Sequence, residues 1–301
     1  MSALVAAVAE AQAVSMGAGR TRWPDHGPLS SLSPRRRWYV LAMAAVTTLL
    51  VGATLVAVLD ELRPPDRAQP DVPGTVVLVP GFGGDTSTLQ LLALRLRVAD
   101  RRTVVVEPPD GGVGDFSGQA AAIDAAVAAA LRRGAPSVDV VAFSAGGIAT
   151  WLWLAEGRRA PAARRVVTLG SPLQGAELAA AGSVLAPGTC SPACRQLAPG
   201  SALLTRLAAY GPPRDVPWVS VRSLTDEVVP PASTRLPGVR DIALQDVCTD
   251  AAPKHSGLPT DFVTIGLLLY AIDRRPMPAF GSADCVSVRA LGTGRPRLAL
   301  N

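Results

Sequence analysis

From Thr75 onward the chain alternates short β-branched apolar runs with Ala- and Leu-rich stretches. The runs predict six strands, at residues 75–79, 103–107, 138–142, 166–169, 218–221 and 241–244. The stretches between them predict five helices, at residues 87–98, 118–133, 146–156, 201–209 and 260–272. Such alternation builds a parallel sheet with helices on both faces, and continuous apolar runs are typical of strands that are covered on both sides. The sequence therefore predicts a single α/β domain with a mostly parallel central sheet.

An uncharged segment precedes this domain. Residues 38–59 (WYVLAMAAVTTLLVGATLVAVL) contain no charge and follow three consecutive arginines. A helix of this length, at about 1.5 Å per residue, crosses a hydrocarbon core of about 30 Å, and the arginines favour a cytoplasmic N-terminus. The pattern predicts a cytoplasmic tail at 1–37, a transmembrane signal anchor at 38–59, a linker at 60–73 and an α/β domain at 74–301 outside the membrane.

Two alternatives to the anchor stay open. A cleaved signal peptide would release the protein into the medium, but the apolar stretch is longer than an ordinary signal core and no clear A-x-A site precedes Asp60. A buried core helix is the other alternative, and such helices rarely lack charge over six turns. The sequence favours an uncleaved anchor that attaches the protein to the cell membrane.

The formal charge of +5 does not indicate a nucleic-acid-binding protein. Residues 1–59 carry a net charge of +3, which leaves only +2 for the remaining 242 residues. Because the large domain has no dense basic stripe in sequence, counterion release from a phosphate backbone would contribute little. Nucleic acid is therefore not an expected partner.

The four cysteines all follow the uncharged segment. They are Cys190, Cys194, Cys248 and Cys285, an even number that predicts two disulfides in an oxidising compartment. Three pairings are possible, and we favour the one that joins sequence neighbours, Cys190 with Cys194 and Cys248 with Cys285. The C-x-x-x-C spacing does not match a zinc ribbon, so we expect no metal site.

The strongest local motif is VDVVAFSAGGI at residues 138–148, an apolar strand that runs into small residues around Ser144 and then into a helix. Small neighbours permit the sharp, strained turn on which a nucleophilic serine is raised above the edge of a sheet. The first glycine of the G-x-S-x-G pattern is replaced by Ala142, which is still small. An ordinary serine in a strand–helix turn is the plain alternative.

A second glycine-rich segment, PGFGGD at residues 80–85, follows the first predicted strand. A tetrahedral intermediate needs backbone N–H donors aimed at its oxyanion, and we expect them from Phe82 and Ala145. A phosphate-binding loop is the alternative, but no G-x-x-x-x-G-K-[ST] pattern follows and the domain's lysine, Lys254, is remote in sequence.

The general base and its partner follow from elimination and chain order. The chain has two histidines, and His26 lies on the other side of the predicted membrane segment from Ser144. His255 is therefore the expected base, in a loop that leads into the last predicted helix. The acid should lie between serine and histidine in the chain, and Asp226 at the end of a strand is our choice. Its rivals are Glu227, Asp246 and Asp250.

Five blocks, PGFGGD, AFSAGG, VVTLGSPLQGAEL, SLTDEVVPP and HSGLP, resemble in sequence and order the secreted bacterial lipases and esterases of the α/β-hydrolase superfamily. The resemblance implies the α/β-hydrolase fold and hydrolysis of lipid or small acyl esters through a Ser144–His255–Asp226 triad, without metal or organic cofactor. This chain departs from that family where TLGSP continues with Leu173, rather than with His-x-Gly-Thr, and at Pro80, where many relatives have histidine.

Two other functions remain as alternatives. The same triad can serve a cell-envelope acyltransferase or a thioesterase, and a membrane-tethered binding domain could retain the fold without activity. The irregular stretch 176–215, with Leu178, Val184, Leu185 and Leu197, is a candidate cap over the site. Trp151 and Trp153 are expected to pack against the sheet rather than to line an acyl pocket. A monomer is expected.

Overall fold

The computed structural model describes residues 33–62, 71–157, 159–177, 179, 181 and 188–295. They fall in two compact units, residues 1–64 and 65–301. Most of the predicted tail and linker, the end of the chain after residue 295, and residues 178, 184 and 185 of the candidate cap lie outside the described part.

The described residues of the first unit form a helix, α1 (Pro34–Leu62). Its segment Arg35–Val56 is long and apolar enough to cross a membrane, and a signal sequence near an N-terminus meets the same criterion. Its threonines bond within the helix, as Thr47 Oγ1 donates to the Met43 carbonyl at 2.9 Å and Thr48 Oγ1 to the Ala44 carbonyl at 2.9 Å. The polar groups of these side chains therefore need no partner from outside the helix.

The second unit is built on a six-stranded sheet in the order β2-β1-β3-β4-β5-β6. All neighbouring strands are parallel, as predicted. The strands are β1 (Thr75–Val79), β2 (Thr103–Val105), β3 (Val138–Phe143), β4 (Ala163–Leu169), β5 (Trp218–Arg222) and β6 (Arg240–Ala243). β4 begins three residues before its prediction, and β6 ends one residue earlier because Leu244 opens a helix.

The α-helices whose bounds the structure describes in the second unit are α2 (Ser87–Val98), α3 (Phe116–Arg132), α4 (Gly146–Glu156), α5 (Pro192–Leu197), α6 (Ala202–Tyr210), α7 (Leu244–Val247), α8 (Phe262–Ala271) and α9 (Cys285–Gly292). Capping side chains set several starts. Asp115 accepts a bond from the Ser117 N–H, so α3 begins two residues before its prediction, and Asp261 accepts from the Thr264 N–H, so α8 begins two residues after. The sequence analysis did not predict α5, α7 or α9.

A hydrophobic core lies on each face of the sheet. One contains Ile123 and Val127 of α3 together with side chains of α4 and α6. The other contains Leu89 and Leu96 of α2 with side chains of α8 and α9. Ile123 and Val127 lie four residues apart, so they share the face of α3 that packs on the sheet.

The amino ends of the strands meet at a buried ion cluster. Asp139 Oδ2 on β3 accepts hydrogen bonds from Arg164 at 2.7 Å and from Arg101 at 2.5 Å. Both guanidinium groups also donate to the carbonyl of Ile272, at the end of α8. Burial raises the pKa of Asp139, and the two guanidinium groups oppose that shift. The cluster ties β3, β4 and α8 together at this edge.

Candidate active site

Ser144 lies in the tight turn between β3 and α4. Its φ of 53° is in the left-handed region, which is strained for a residue with a side chain. Its N–H donates to the Leu169 carbonyl at 2.9 Å, which fixes the turn against β4. A Cβ added to Gly146 would come within 2.5 Å of the Pro80 carbonyl oxygen, and one added to Gly147 would overlap the Ser171 side chain. The small residues of the motif are therefore required by packing.

The glycine-rich segment after β1 passes beside Ser144. A Cβ on Gly81 would lie 2.8 Å from the Ser144 Cβ, so no larger residue fits at this approach. Gly83 and Gly84 have φ values of 84° and 66°, which turn the chain away after Phe82. Within the described residues, neither the Phe82 N–H nor the Ala145 N–H donates to a protein acceptor. Both predicted oxyanion donors are therefore free for a ligand.

Three side chains from separate strand ends form a hydrogen-bonded chain. His255 Nδ1 lies 2.7 Å from Asp226 Oδ2, and His255 Nε2 lies 2.9 Å from Ser144 Oγ. Because a carboxylate can only accept, the Nδ1–H donates to Asp226, and Nε2 is left to accept the Ser144 hydroxyl proton. The Asp226 side chain is 2% exposed and that of His255 10%, so water competes little for the first bond.

The backbone holds the Asp226 carboxylate on its other oxygen. Oδ1 accepts the N–H groups of Val228 at 2.9 Å and Val229 at 2.8 Å. Burial by itself would raise the pKa of Asp226, but the bonds from His255 and from these two N–H groups outweigh burial and hold the pKa below its usual value. Asp226 is therefore an ionised acceptor for the imidazole at neutral pH.

The loop that carries His255 is fixed from three sides. The His255 N–H donates to Glu227 Oε2 at 3.2 Å, and the Phe143 ring lies 4.9 Å from the imidazole between ring centroids. Gly170, with φ 55°, is on the third side, where an added Cβ would lie 3.0 Å from Asp226 Oδ2 and 3.4 Å from His255 Cε1. Gly170 and Phe143 were not assigned roles from sequence, although both lie inside quoted blocks, VVTLGSP and AFSAGG.

The rival acids have other positions. Glu227 binds the backbone of His255 and not its ring. Asp246 lies on α7. Asp250 is exposed and forms an ion pair with Arg289 at 2.7 Å. Of the four acids considered, Asp226 is the one whose carboxylate meets the His255 ring.

The cysteines pair as favoured from sequence, Cys190 with Cys194 and Cys248 with Cys285. The second disulfide joins α9 to the residue after α7, seven positions before His255, and so closes the chain segment that contains this histidine. Cys248 and Cys285 also lie near Asp250 in the part of the chain that the structure describes. Because their sulfurs are bonded to each other, they offer no thiolates for a metal.

Trp151 and Trp153 are buried and pack as expected. Trp151 Nε1 donates to the Gly211 carbonyl at 3.1 Å, and Trp153 Nε1 donates to Asp124 at 3.0 Å. In the candidate cap, α5 and α6 pack toward α3 and α4, and the Ala193 N–H donates to the Val113 carbonyl. A cap over Ser144 stays a prediction.

Solved structures with this architecture include known lipases. Aspergillus fumigatus lipase B matches with a TM-score of 0.56 at 20% identity, over 73% of this chain and 61% of that one. The propeptide form of Bacillus licheniformis lipase BlEst2 matches with a TM-score of 0.57 at 17% identity, over 73% and 54%. The mature form of that lipase matches with a TM-score of 0.50 at 18% identity, over 60% of this chain and 84% of that one. The chain has the α/β-hydrolase fold.

This fold was the one predicted from the sequence blocks. The chain spans about three fifths of the length of the fungal lipase that it matches. No protein-family model matches the sequence, and the curated proteins give no match either. At these identities the structural likeness describes the fold, and the activity has to be argued from the site.

Proposed function

We propose that this chain is a serine carboxylic-ester hydrolase, a lipase or esterase that acts through an acyl-enzyme. The observation that carries the proposal is the continuous hydrogen-bonded chain from Ser144 Oγ through His255 to Asp226. The strained φ of Ser144 and the two unbonded N–H groups beside it support the same reading. The lipases of similar fold agree with it.

In the proposed acylation step, Ser144 Oγ attacks the ester carbonyl carbon while His255 Nε2 takes the hydroxyl proton. The carbonyl oxygen becomes an oxyanion that accepts hydrogen bonds from the N–H groups of Phe82 and Ala145. When the tetrahedral intermediate collapses, the ester C–O bond breaks and the leaving alkoxide receives the proton from His255. The acyl group remains on Ser144.

Deacylation repeats these steps with water as the nucleophile. His255 Nε2 takes a proton from water as its oxygen attacks the acyl-enzyme, and it returns that proton to Ser144 Oγ when the carboxylic acid leaves. Asp226 does not touch the substrate. It positions the imidazole and stabilises the imidazolium that forms in both steps.

We also propose that the enzyme works at the outer side of the cell membrane. In this arrangement, residues 1–37 are a cytoplasmic tail, 38–59 the signal anchor, 60–73 the linker and 74–301 the catalytic domain. The support is the apolar helix segment Arg35–Val56, which begins with three consecutive arginines, together with two disulfides in the second unit. Secretion after cleavage of the helix is the alternative outcome. Microsequencing the N-terminus of the mature protein distinguishes the two.

The direct test is hydrolysis of p-nitrophenyl esters, from acetate to palmitate, by the full chain in detergent micelles. We expect Ser144→Ala to lower kcat by about 10⁴-fold or more, because the nucleophile is lost while the fold is kept. The matched control is Ser282→Ala, at an exposed serine outside the site, which should hydrolyse like the unmodified chain. Chain-length preference follows from the same series.

A fluorophosphonate probe gives a second readout. It should add one phosphonyl group to the peptide that contains Ser144 and none to the Ser144→Ala variant. Full hydrolytic activity in Ser144→Ala would contradict the proposal. Activity that depends on Ser144 but yields an ester with an added alcohol, and no free acid, would instead assign the same site to an acyltransferase.

A further inference from the structure

Helix α2 presents an apolar stripe to solvent. Leu91, Leu94 and Val98 follow one another at spacings of three and four, so they lie on one face, and they are 55%, 55% and 72% exposed. Phe262, at the start of α8, is 39% exposed. Together with the residues of the stripe it lines a groove with a volume of about 400 Å³. A contiguous apolar patch of this kind on a folded domain usually marks an interaction surface.

Arginines flank the stripe on both sides. Arg95 lies toward α8, with its guanidinium carbon 5.5 Å from the centre of the Phe262 ring. Arg97 lies on the other flank, toward β2, where its Nε donates to Thr103 Oγ1 at 3.0 Å. An apolar stripe with a cation on each flank matches the way in which amphipathic helices rest on a lipid surface.

A basic cleft adjoins the end of this helix. It has a volume of about 590 Å³. Its lining includes four arginines, Arg97, Arg101, Arg102 and Arg133, and one acidic residue, Asp100. The Arg101 guanidinium forms an ion pair with Asp139. Arg102 and Arg133 are exposed and form no ion pair with any described residue. Their charges are therefore available to an anionic partner.

The chain from the candidate membrane helix enters the domain at this cleft. Thr75, the first residue of β1, is one of the residues that line it. The 12 residues between Leu62 and Thr75 can reach about 40 Å at most when fully extended. The linker therefore leads to the end of β1 that lines the basic cleft.

We propose that the α2 surface, made of Leu91, Leu94, Val98 and Phe262 with Arg95, Arg97, Arg102 and Arg133, binds the surface of an anionic phospholipid bilayer. The apolar side chains enter the boundary between headgroups and acyl chains, and the arginines pair with lipid phosphates. The surface lies on α2, at the start of α8, at the end of α3 and directly before β2, and none of its residues belongs to the Ser144 site. It does not depend on the proposed activity.

The test uses the full chain with a specific protease site inserted after Pro64. The protein is reconstituted in vesicles of phosphatidylcholine alone, or of phosphatidylcholine and phosphatidylglycerol in equal parts. After cleavage the vesicles are pelleted, and the released catalytic domain is measured in pellet and supernatant. We expect it to pellet with the anionic vesicles and to remain in solution with the neutral ones.

Two pairs of variants distinguish binding through this surface from non-specific binding to the vesicles. Replacing both Arg102→Gln and Arg133→Gln should lower the vesicle partition coefficient by about tenfold or more, because each arginine near an anionic surface contributes about 1 kcal/mol. The charge-matched control is Arg206→Gln with Arg214→Gln, since Arg206 lies on α6, which packs on the opposite face of the sheet. Leu94→Ser should lower partition, whereas Tyr210→Ser, at an equally exposed apolar residue of α6, should not.

The outcomes are distinct from those of the activity test, since ester hydrolysis is measured separately on each variant. Release of the domain from both kinds of vesicle would overturn the proposal, and so would equal retention on both. The proposal is also wrong if the variants of the α2 surface and their control variants bind alike. Retention that disappears at about 1 M salt, where the Debye length is about 3 Å, supports the arginine contribution.

Discussion

The two ends of the parallel sheet each hold a buried aspartate, and the two sites are built differently. At the carboxyl end, Asp226 accepts bonds on both oxygens, from an imidazole on one and from two backbone N–H groups on the other. At the amino end, Asp139 accepts two guanidinium groups on one oxygen, while its Oδ1 has no hydrogen-bond partner among the described residues.

The partners explain the difference in use. A histidine can take and return a proton near neutral pH, so a carboxylate that orients it serves chemistry. A guanidinium stays charged, so Arg101 and Arg164 have no proton to exchange with Asp139. The cluster serves to join β3, β4 and α8. Burial of an aspartate alone therefore does not indicate function, because the chemistry depends on which group it orients.

The largest expected effect is the loss of activity in the variant Asp226→Asn. Loss of the carboxylate should favour the wrong imidazole tautomer and lower kcat about 10⁴-fold, with little change in KM. Steady-state kinetics with the best p-nitrophenyl ester measure this. The control is Glu227→Gln, which touches only the backbone of His255 and should keep kcat within about tenfold. A larger loss in the control than in Asp226→Asn would reverse our choice of acid.

Asp139→Ala should show the opposite profile. It leaves the buried Arg164 and the nearly buried Arg101 without the carboxylate oxygen that accepts their hydrogen bonds, which we expect to lower the free energy of unfolding by about 3–5 kcal/mol. The kcat of the protein that remains folded should be unchanged. Urea unfolding measures the loss, and Glu156→Gln, which breaks the exposed pair with Arg206, should cost less than about 1 kcal/mol. Equal costs would mean that the cluster does not support the fold.

The smallest effect is in the pH dependence of stability, where the two aspartates should have opposite signs. The pKa of Asp226 is lowered in the folded state, so its stabilisation is present above its usual value of 3.8 and is lost as the pH falls through the folded pKa. The pKa of Asp139 is raised, so between that pKa and 3.8 the folded state binds more protons and gains stability as the pH falls.

The measurement is urea unfolding of the unmodified chain, Asp226→Asn and Asp139→Asn, at pH values from about 3 to about 7. The stability advantage of the unmodified chain over Asp226→Asn should shrink below pH 3.8. The difference in the free energy of unfolding between the unmodified chain and Asp139→Asn should change in the opposite direction over the acidic range. Two differences with the same sign would contradict the contrast between the two ends of the sheet.

The elements beside the glycine-rich turns were predicted well from the sequence, and three short helices were missed. β1, α2 and α4 have the predicted boundaries, because their apolar patterns are continuous and their neighbouring turns are rich in glycine. Helix α9 was missed since its sequence contains the β-branched Val286 and Val288, which have low helix propensity. It is helical where it packs on α8, and there a Cβ on Gly266 would overlap the Val288 carbonyl. Close packing between helices overrides local preference.

The sequence by itself determined the α/β class, the small-residue turn around Ser144 and the choice of His255 as the expected base. These features are local or follow from counting residues, so no distant contact was needed. Tertiary structure decided which of four acids faces the imidazole, why Gly170 must be small, and how α2 aligns its apolar stripe beside a basic cleft. The physical reason is that each depends on groups far apart in the chain, whose separation is fixed only when the sheet and its two cores assemble.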